Sequence, residues 1–267
     1  MKRNRLRNWA SYTPIIAAAM LWGMCASAEA ETAAELKASL TPTHPRLFLT
    51  QADLPRVRER VKAKGVSFDD RRAAKNANDA LDLSIESARE WFDRHIANEP
   101  LVATGKYNRW RFHHEVDPAE AALESAFAYL IDGDTLFCDQ TNWSLERSLL
   151  FYEHRAAQEK GVHWYVYSRL KWLIAFDWIY NGLPEERRVD LMERFIRACH
   201  VSLTPPRKSG EGAGNYTTGY YNIPAIKFYL GLVAVDMPLK PELARYAEQW
   251  LEDGYAENIR LMEYREK

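Results

Sequence analysis

Asn215 and Tyr216 stand side by side in a glycine-rich stretch, just ahead of Tyr220, Tyr221 and Asn222. An amide donates hydrogen bonds to a carboxylate without bringing a negative charge of its own. The same Asn in such a loop can instead cap the helix that follows. Tyr216 carries a phenol that can move a proton or stack on a sugar, and Tyr220 and Tyr221 extend the cluster or form a core-facing helix stripe. A second group is His113 with His114, beside Arg109 and Arg111. Adjacent histidines point apart on most backbones, so at most one faces a cleft. The neighbouring guanidiniums suit an anionic sugar or line a solvated loop. His163 and Trp164 form a third group, with Tyr165, Tyr167 and Arg169 close behind. Arg207 and Lys208 form a fourth, in a loop that either closes on a polyanion or is simply hydrated.

Composition agrees with a saccharide cleft. The chain holds nine tryptophans and fourteen tyrosines. In a helical protein many of these must be core, and a surplus of polar-tipped rings also suits a cleft that holds sugars. A pyranose offers such rings an apolar face and a hydroxyl rim. Lysine plus arginine (36) nearly equals aspartate plus glutamate (37), so no global field favours nucleic acid or an anionic membrane. Cys138 and Cys199 lack the spacing of a metal site. They are either buried thiols or a single bridge. Neither metal nor cofactor is expected.

The elements that must position these residues read as helices. Lys2, Arg3, Arg5 and Arg7 precede an apolar run from Ile15 to Met24 and the small-residue pattern Ala26-Ser27-Ala28-Glu29-Ala30. This is the layout of a secretory signal over residues 1–30, cleaved after Ala28 or Ala30, with an uncleaved anchor as the alternative. The run is shorter than the ~20 apolar residues that span a bilayer. Processing therefore leaves no stable membrane span and sends the product to the periplasm or the medium. Cys25 sits in a poor context for a lipoprotein site. The roughly 237 residues that remain fit one large domain or two small ones.

After a linker over 31–43, the pattern predicts a helix from Thr50 or Asp53 to Gly65 and a long one from Ser67 to about Asn98. A loop covers Glu99–Glu115. Asp117-Pro118-Ala119-Glu120 then opens a helix that stops at Gly133. Further helices are expected over Asp139–Lys160, His163–Tyr180, Pro184–Leu203 and Tyr220–Val235, and from Pro241 to the end. No period-two strand stands out. The fold class is all-α, built from antiparallel helical hairpins. Bundles, solenoids and toroids all satisfy that pattern, though no fixed repeat supports a common solenoid. The last residues, Leu261 to Lys267, hold no cap or glycine, and the chain reads as truncated in mid-helix.

Three segments resemble one family, the heparinase II/III-like polysaccharide lyases and their alginate-lyase relatives. The first is His44-Pro45-Arg46-Leu47-Phe48-Leu49-Thr50 followed by Asp53-Leu54. The second is Ala175-Phe176-Asp177-Trp178-Ile179-Tyr180 followed by Leu183-Pro184-Glu185-Glu186-Arg187. The third is Gly214-Asn215-Tyr216 followed by the apolar helix from Tyr220. The resemblance spans residues 44 to 264 and implies an incomplete (α/α) toroid over 44–267, with the family's β-sandwich lying beyond it. It also implies β-elimination on uronate-containing polysaccharide. That step needs donors against the sugar carboxylate, a base for the C5 proton and an acid for the departing O4.

On this resemblance Asn215 is the neutraliser, and Tyr216 stands where many members have His, so its proton-transfer role departs from their pattern. His113, Arg109, His163, Trp164, Arg207, Tyr220 and Tyr221 are the expected substrate contacts. The family's principal tyrosine usually follows the Asn segment. Here the late candidates are Tyr255 and Tyr264, in an ordinary amphipathic pattern. Asp177 reads as structural, held by backbone, with Trp178 in the core. A glycoside hydrolase on a similar barrel would need a pair of carboxylates on a cleft loop, and none stands out. A non-catalytic saccharide-binding protein of the same fold is the third reading.

Overall fold

A computed structural model describes residues 32–40, 43–68, 82–158, 167–203 and 219–265. Residues 1–30, where a secretory signal is expected, lie outside them. The chain divides into two units at Ser39 and Leu40. In the first, the expected linker contains a short helix, α1 (Ala33–Ser39). Thr32 and Glu35 start it reciprocally: the Thr32 amide donates to Glu35 Oε2 at 2.6 Å, and the Glu35 amide to Thr32 Oγ1 at 3.2 Å. That is a capping box.

The described residues of the second unit form α2 (Leu54–Ala63), α3 (Ile85–Ile96), α4 (Glu99–Ala103), α5 (Arg109–Val116), α6 (Ala119–Asp132) and α7 (Thr135–Ala157). They continue as α8 (Tyr167–Ile179), a 3-10 turn (Tyr180–Gly182), α9 (Glu185–Leu203), α10 (Gly219–Ala234) and α11 (Pro241–Arg265). No strand occurs among the described residues. No helix among them is long and apolar enough to cross a membrane.

Several expected boundaries need correction, and local capping explains them. The helix expected from Ser67 begins at Ile85 in its described part. Asp82 accepts from the amide and hydroxyl of Ser84 at 2.8 and 2.7 Å, and Ser84 Oγ accepts from the Ser87 amide at 3.2 Å. This side-chain turn competes with helix on its N-terminal side. The loop expected over Glu99–Glu115 is mostly helical. Asn108 caps α5, its Oδ1 accepting from the Arg111 amide at 2.9 Å. α7 starts four residues early because Asp134 caps it, accepting from the Leu136 amide at 3.0 Å.

Side-chain pairs fix how the helices run. Glu120 meets Lys171 at 3.1 Å and Phe127 meets Trp178 with ring centroids 5.9 Å apart, so α6 and α8 are parallel. At the far end of α8, the backbone of Arg46 is held by Asp177 while its guanidinium binds Leu232 O and Asp236. The C-termini of α8 and α10 therefore lie together. In the other layer Glu146 pairs with Arg187 and Glu153 with Arg194, each at 2.8 Å, so α7 and α9 are parallel. Glu193 meets Lys240 and His200 stacks near Tyr246 and Trp250, which aligns α11 with α9. Ser87 with Trp143 and Phe92 with His154 align α3 with α7. Tyr152 meets Asp117, and Lys227 approaches Glu257, so the two layers run in opposite directions. One row holds α6, α8 and α10; the other holds α3, α7, α9 and α11.

Large rings fill the space between the rows. Trp172, Tyr152, Phe137, Phe151, Phe176 and Phe195 are each less than 2% exposed. Trp172 stacks on Phe195 at 4.2 Å and on Phe176 at 5.4 Å, and its Nε1 donates to Leu145 O at 2.9 Å. Much of the aromatic surplus is thus core, where each ring removes ~200 Å² from water and is worth several kcal/mol. α10 and α11 approach through glycine. A Cβ on Gly231 would lie 2.6 Å from Leu251 Cα, closer than real side chains come. Cys138 and Cys199 are buried and not joined in a disulfide.

Candidate functional site

The N-termini of the parallel row gather at one end of the unit. α5 leads into α6 there through Asp117, and Ser168 and Arg169 open α8. Asp117 closes the gap between the rows. Tyr152 donates to its Oδ1 at 3.1 Å. The helix start needs correction, because Pro118 rather than Asp117 is the N-cap of α6, with no side-chain cap hydrogen bond. Ser148 and Ser168 face it, but their hydroxyls make no well-formed bond to any described residue. Burial pushes the Asp117 carboxyl above the usual range, against the hydrogen bonding around it. Burial, then the neighbouring Asp117 charge, likewise holds the Tyr152 phenol well above 10.

Arg147 builds the adjacent wall. It is 5% exposed and lies between the indoles of Trp91 and Trp143, at 4.7 and 4.5 Å from their centroids. Its Nη2 donates to the Glu115 carbonyl, which ties the end of α5 to α7. Burial depresses its pKa to about 9, still high enough to keep the charge at neutral pH. Its Nε and the Trp91 Nε1 have no partner among the described residues. Glu115 accepts from the Tyr107 hydroxyl at 2.7 Å and from Arg111 Nε at 2.8 Å. Burial raises its pKa, but these bonds outweigh it and leave the carboxyl below its ordinary value.

These groups hold elements rather than react. Tyr152 is fully buried with its proton committed to Asp117, and Arg147 is enclosed by rings. Of the expected site residues, Arg109 and His113 are described. They share one face of α5 at i and i+4. Arg109 is exposed; His113 is half-buried, its ring 6.1 Å from Phe151. Both therefore sit on a helix, not the loop expected from sequence. Tyr220 and Tyr221 lie in the first turn of α10. Asn215, Tyr216, His163, Trp164 and Arg207 lie outside the described residues. The described chain stops at Gln158 and Leu203 and resumes at Tyr167 and Gly219, all at helix ends on this side of the unit. Tyr255 lies in α11, its ring 6.2 Å from Phe228.

No family model, curated protein or solved structure matches the chain.

Two features escaped the sequence reading. His154 Nε2 lies 2.9 Å from Glu99 Oε2, and Arg155 Nη1 is 3.2 Å from Glu99 Oε1. Burial raises the Glu99 pKa, but the hydrogen bond and charge of His154 outweigh it. A partly exposed imidazole oriented by a carboxylate can transfer protons. Its neighbours, Glu99 and Phe92, belong to α4 and α3 rather than to the α6–α8–α10 row. No sequence spacing links positions 99 and 154. No group of three or more His, Cys, Asp or Glu side chains among the described residues is placed to hold a metal ion.

The second feature is at the opposite end. His44 Nδ1 lies 2.5 Å from Asp177 Oδ1, while Oδ2 accepts from the amides of Arg46 and Leu47 at 2.8 and 2.7 Å. Trp178 Nε1 donates to Leu47 O, and Asn181 Nδ2 and Gln51 Nε2 both donate to His44 O. His44 stacks on Tyr180 at 3.7 Å, and the Arg188 guanidinium lies 4.4 Å from that ring. The structural reading of Asp177 stands, although the backbone that satisfies it is 130 residues upstream. Trp178 is half-buried rather than in the core.

Proposed function

We propose that the chain is an exported polysaccharide lyase, or the N-terminal helical part of one, that cleaves uronate-containing acidic polysaccharide by β-elimination. The observation that carries this reading is the docking of His44–Leu47 onto Asp177–Trp178. These are two of the three segments that resemble heparinase II/III-like lyases, and they contact each other through the residues that make the resemblance. The two opposed rows are the repeating arrangement an incomplete (α/α) toroid requires, with α6, α8 and α10 as its inner helices.

In this reading a saccharide lies across the N-terminal ends of the inner row. Asn215 donates to the sugar carboxylate and stabilises the negative charge that grows there as the C5–H bond breaks. Tyr216 serves in proton transfer: a base takes the C5 proton, the electron pair forms the C4–C5 double bond, and the C4–O4 bond breaks as O4 gains a proton. Arg109, Arg207, His113 and His163 meet neighbouring carboxylates and hydroxyls. Trp164, Tyr220 and Tyr221 offer rings to sugar faces.

The test is incubation with alginate, heparan-type and other uronate polymers while ultraviolet absorbance of unsaturated uronate is followed. Rising absorbance, abolished by Asn215→Ala in a folded protein, supports the reading. New reducing ends without that absorbance point instead to hydrolysis, and binding without any cleavage points to a saccharide-binding protein.

A further inference from the structure

α2 carries a run of cations, three of which meet no acid among the described residues. Between Leu54 and Lys64 the sequence places Arg56, Arg58, Arg60, Lys62 and Lys64 against a single acid, Glu59. Arg58 is spent on structure: its Nε and Nη2 donate to Leu130 O at 3.0 and 2.8 Å. Arg56 reaches Asp53 at 3.2 Å and remains largely exposed. Arg60, Lys62 and Lys64 are exposed and form no ion pair with any other described residue. Several cations elsewhere are answered by acids: Lys171 by Glu120, Arg111 by Glu115, Arg155 by Glu99, Arg187 and Arg194 by Glu146, Arg197 by Glu193. In a chain of net charge −1, this local excess is a distinct positive field.

The geometry suits a polymer. Arg56, Arg60 and Lys64 fall at i, i+4 and i+8, so they share one stripe with about 6 Å of helix rise between successive charges. That is the scale on which a linear polyuronate presents carboxylates. The apolar positions of α2 turn inward: Leu54 is buried, and Val61 packs on the Phe68–Ala128–Phe137 cluster. A helix that lies on a membrane sets Trp, Phe or Leu beside its cations. Single-stranded nucleic acid wants aromatic platforms. α2 exposes neither. Its position is also informative. Arg58 anchors it at the C-terminal end of α6, a helix of 14 residues. The Asp117 end is therefore about 20 Å away.

We propose that the outer face of α2 is an anchoring surface for acidic polysaccharide, remote from the end where cleavage is assigned. It selects long chains, because only a polymer reaches both places. The substrate class rests on the lyase reading; the binding does not.

The experiment compares the full chain with Arg60→Gln/Lys64→Gln and with a charge-matched control, Lys106→Gln/Arg245→Gln. Binding of long alginate and heparin chains is measured across a salt series, beside turnover of short oligosaccharides. The α2 variant should bind polymer about fivefold more weakly, at two surface contacts of under 1 kcal/mol each, with a shallower salt dependence. Its oligosaccharide turnover and melting temperature should match the parent. Equal losses in the control, or unchanged polymer binding in the α2 variant, overturn the proposal. So does a loss seen only with anionic phospholipid vesicles or DNA. A chain that binds polymer through α2 but yields no unsaturated product sinks the lyase reading alone.

Discussion

Replacing Asp177 by Asn tests the clasp on which the functional reading leans. The carboxylate is fully buried and accepts three hydrogen bonds, from His44 Nδ1, the Arg46 amide and the Leu47 amide. Asn keeps one acceptor oxygen. If that oxygen stays with the two amides, the new NH₂ faces His44 Nδ1, and the imidazole must move its proton to Nε2. That nitrogen is buried and has no partner among the described residues. The variant thus trades a charge-assisted bond for a neutral one and orphans one donor, each step costing about 1–3 kcal/mol. The sum is about 2–6 kcal/mol, a large fraction of the 5–15 kcal/mol typical of a domain. Asp177→Ala, which removes both acceptor oxygens and all three hydrogen bonds, should cost about 5 kcal/mol or more and leave little folded protein. Urea denaturation at neutral pH gives the numbers. A double-mutant cycle with His44→Phe, which keeps a ring against Tyr180, should return a coupling energy of at least ~1 kcal/mol. A loss below ~1 kcal/mol for Asp177→Asn, or additive losses in the cycle, would show that the clasp does not hold the N-terminal segment in place.

Four further outcomes follow from the same geometry. Asp117 has a raised folded-state pKa, so its proton favours the native state: stability is full below the unfolded value near 4 and declines as pH rises toward the folded one. Asp117→Asn should therefore gain on the parent as pH rises above about 4, and parallel stability curves would refute this. Glu146 has the opposite sign, because although burial raises its pKa, Arg194 and Arg187 lower it overall. Glu146→Gln should cost about 3–5 kcal/mol at pH 7, shrinking below pH 4.5, and a pH-independent effect in melts would contradict the ion pairing. Gly231→Ala should destabilise by about 1–3 kcal/mol or more by forcing α10 off Leu251, and an unchanged melting temperature would refute the close approach. Cys138, pushed by burial up to about 12, and Cys199 should label with a thiol reagent only on unfolding, as peptide mapping will read.

Helix periodicity made most of the fold legible, and particular residues mark where it stopped. Pro184-Glu185-Glu186, the apolar repeat after Tyr220 and Pro241 each located a helix to within a residue or two, because start signals and stripe agreed there. The single helix expected from Ser67 to Asn98 is interrupted where Asp82 and Ser84 make a side-chain turn that an apolar stripe hides. The region around Arg109 failed because its start signal is one Asn, and Gly105 and Pro100 read as loop. Pairings across more than a hundred residues, such as Asp177 with the Arg46 and Leu47 amides, carry no local signal. Only resemblance drew attention to those two segments, and it offered no reason for them to meet.

The site was legible in a narrower sense. Sequence put its residues in four separate segments with no stated relation, and the parallel row relates them. When α6, α8 and α10 run the same way, their first described residues share one end. His113 precedes α6, His163 and Trp164 precede α8, and Asn215 and Tyr216 precede α10. This follows from helix direction alone, which Glu120–Lys171, Phe127–Trp178 and the Arg46 bridge establish through contacts distant from every proposed reacting group. An unrelated helical bundle with antiparallel neighbours would scatter those segments over two ends. The shared end gives a chemical reason to test them as one site, and the α2 stripe at the opposite end gives a polymer a reason to span the distance between.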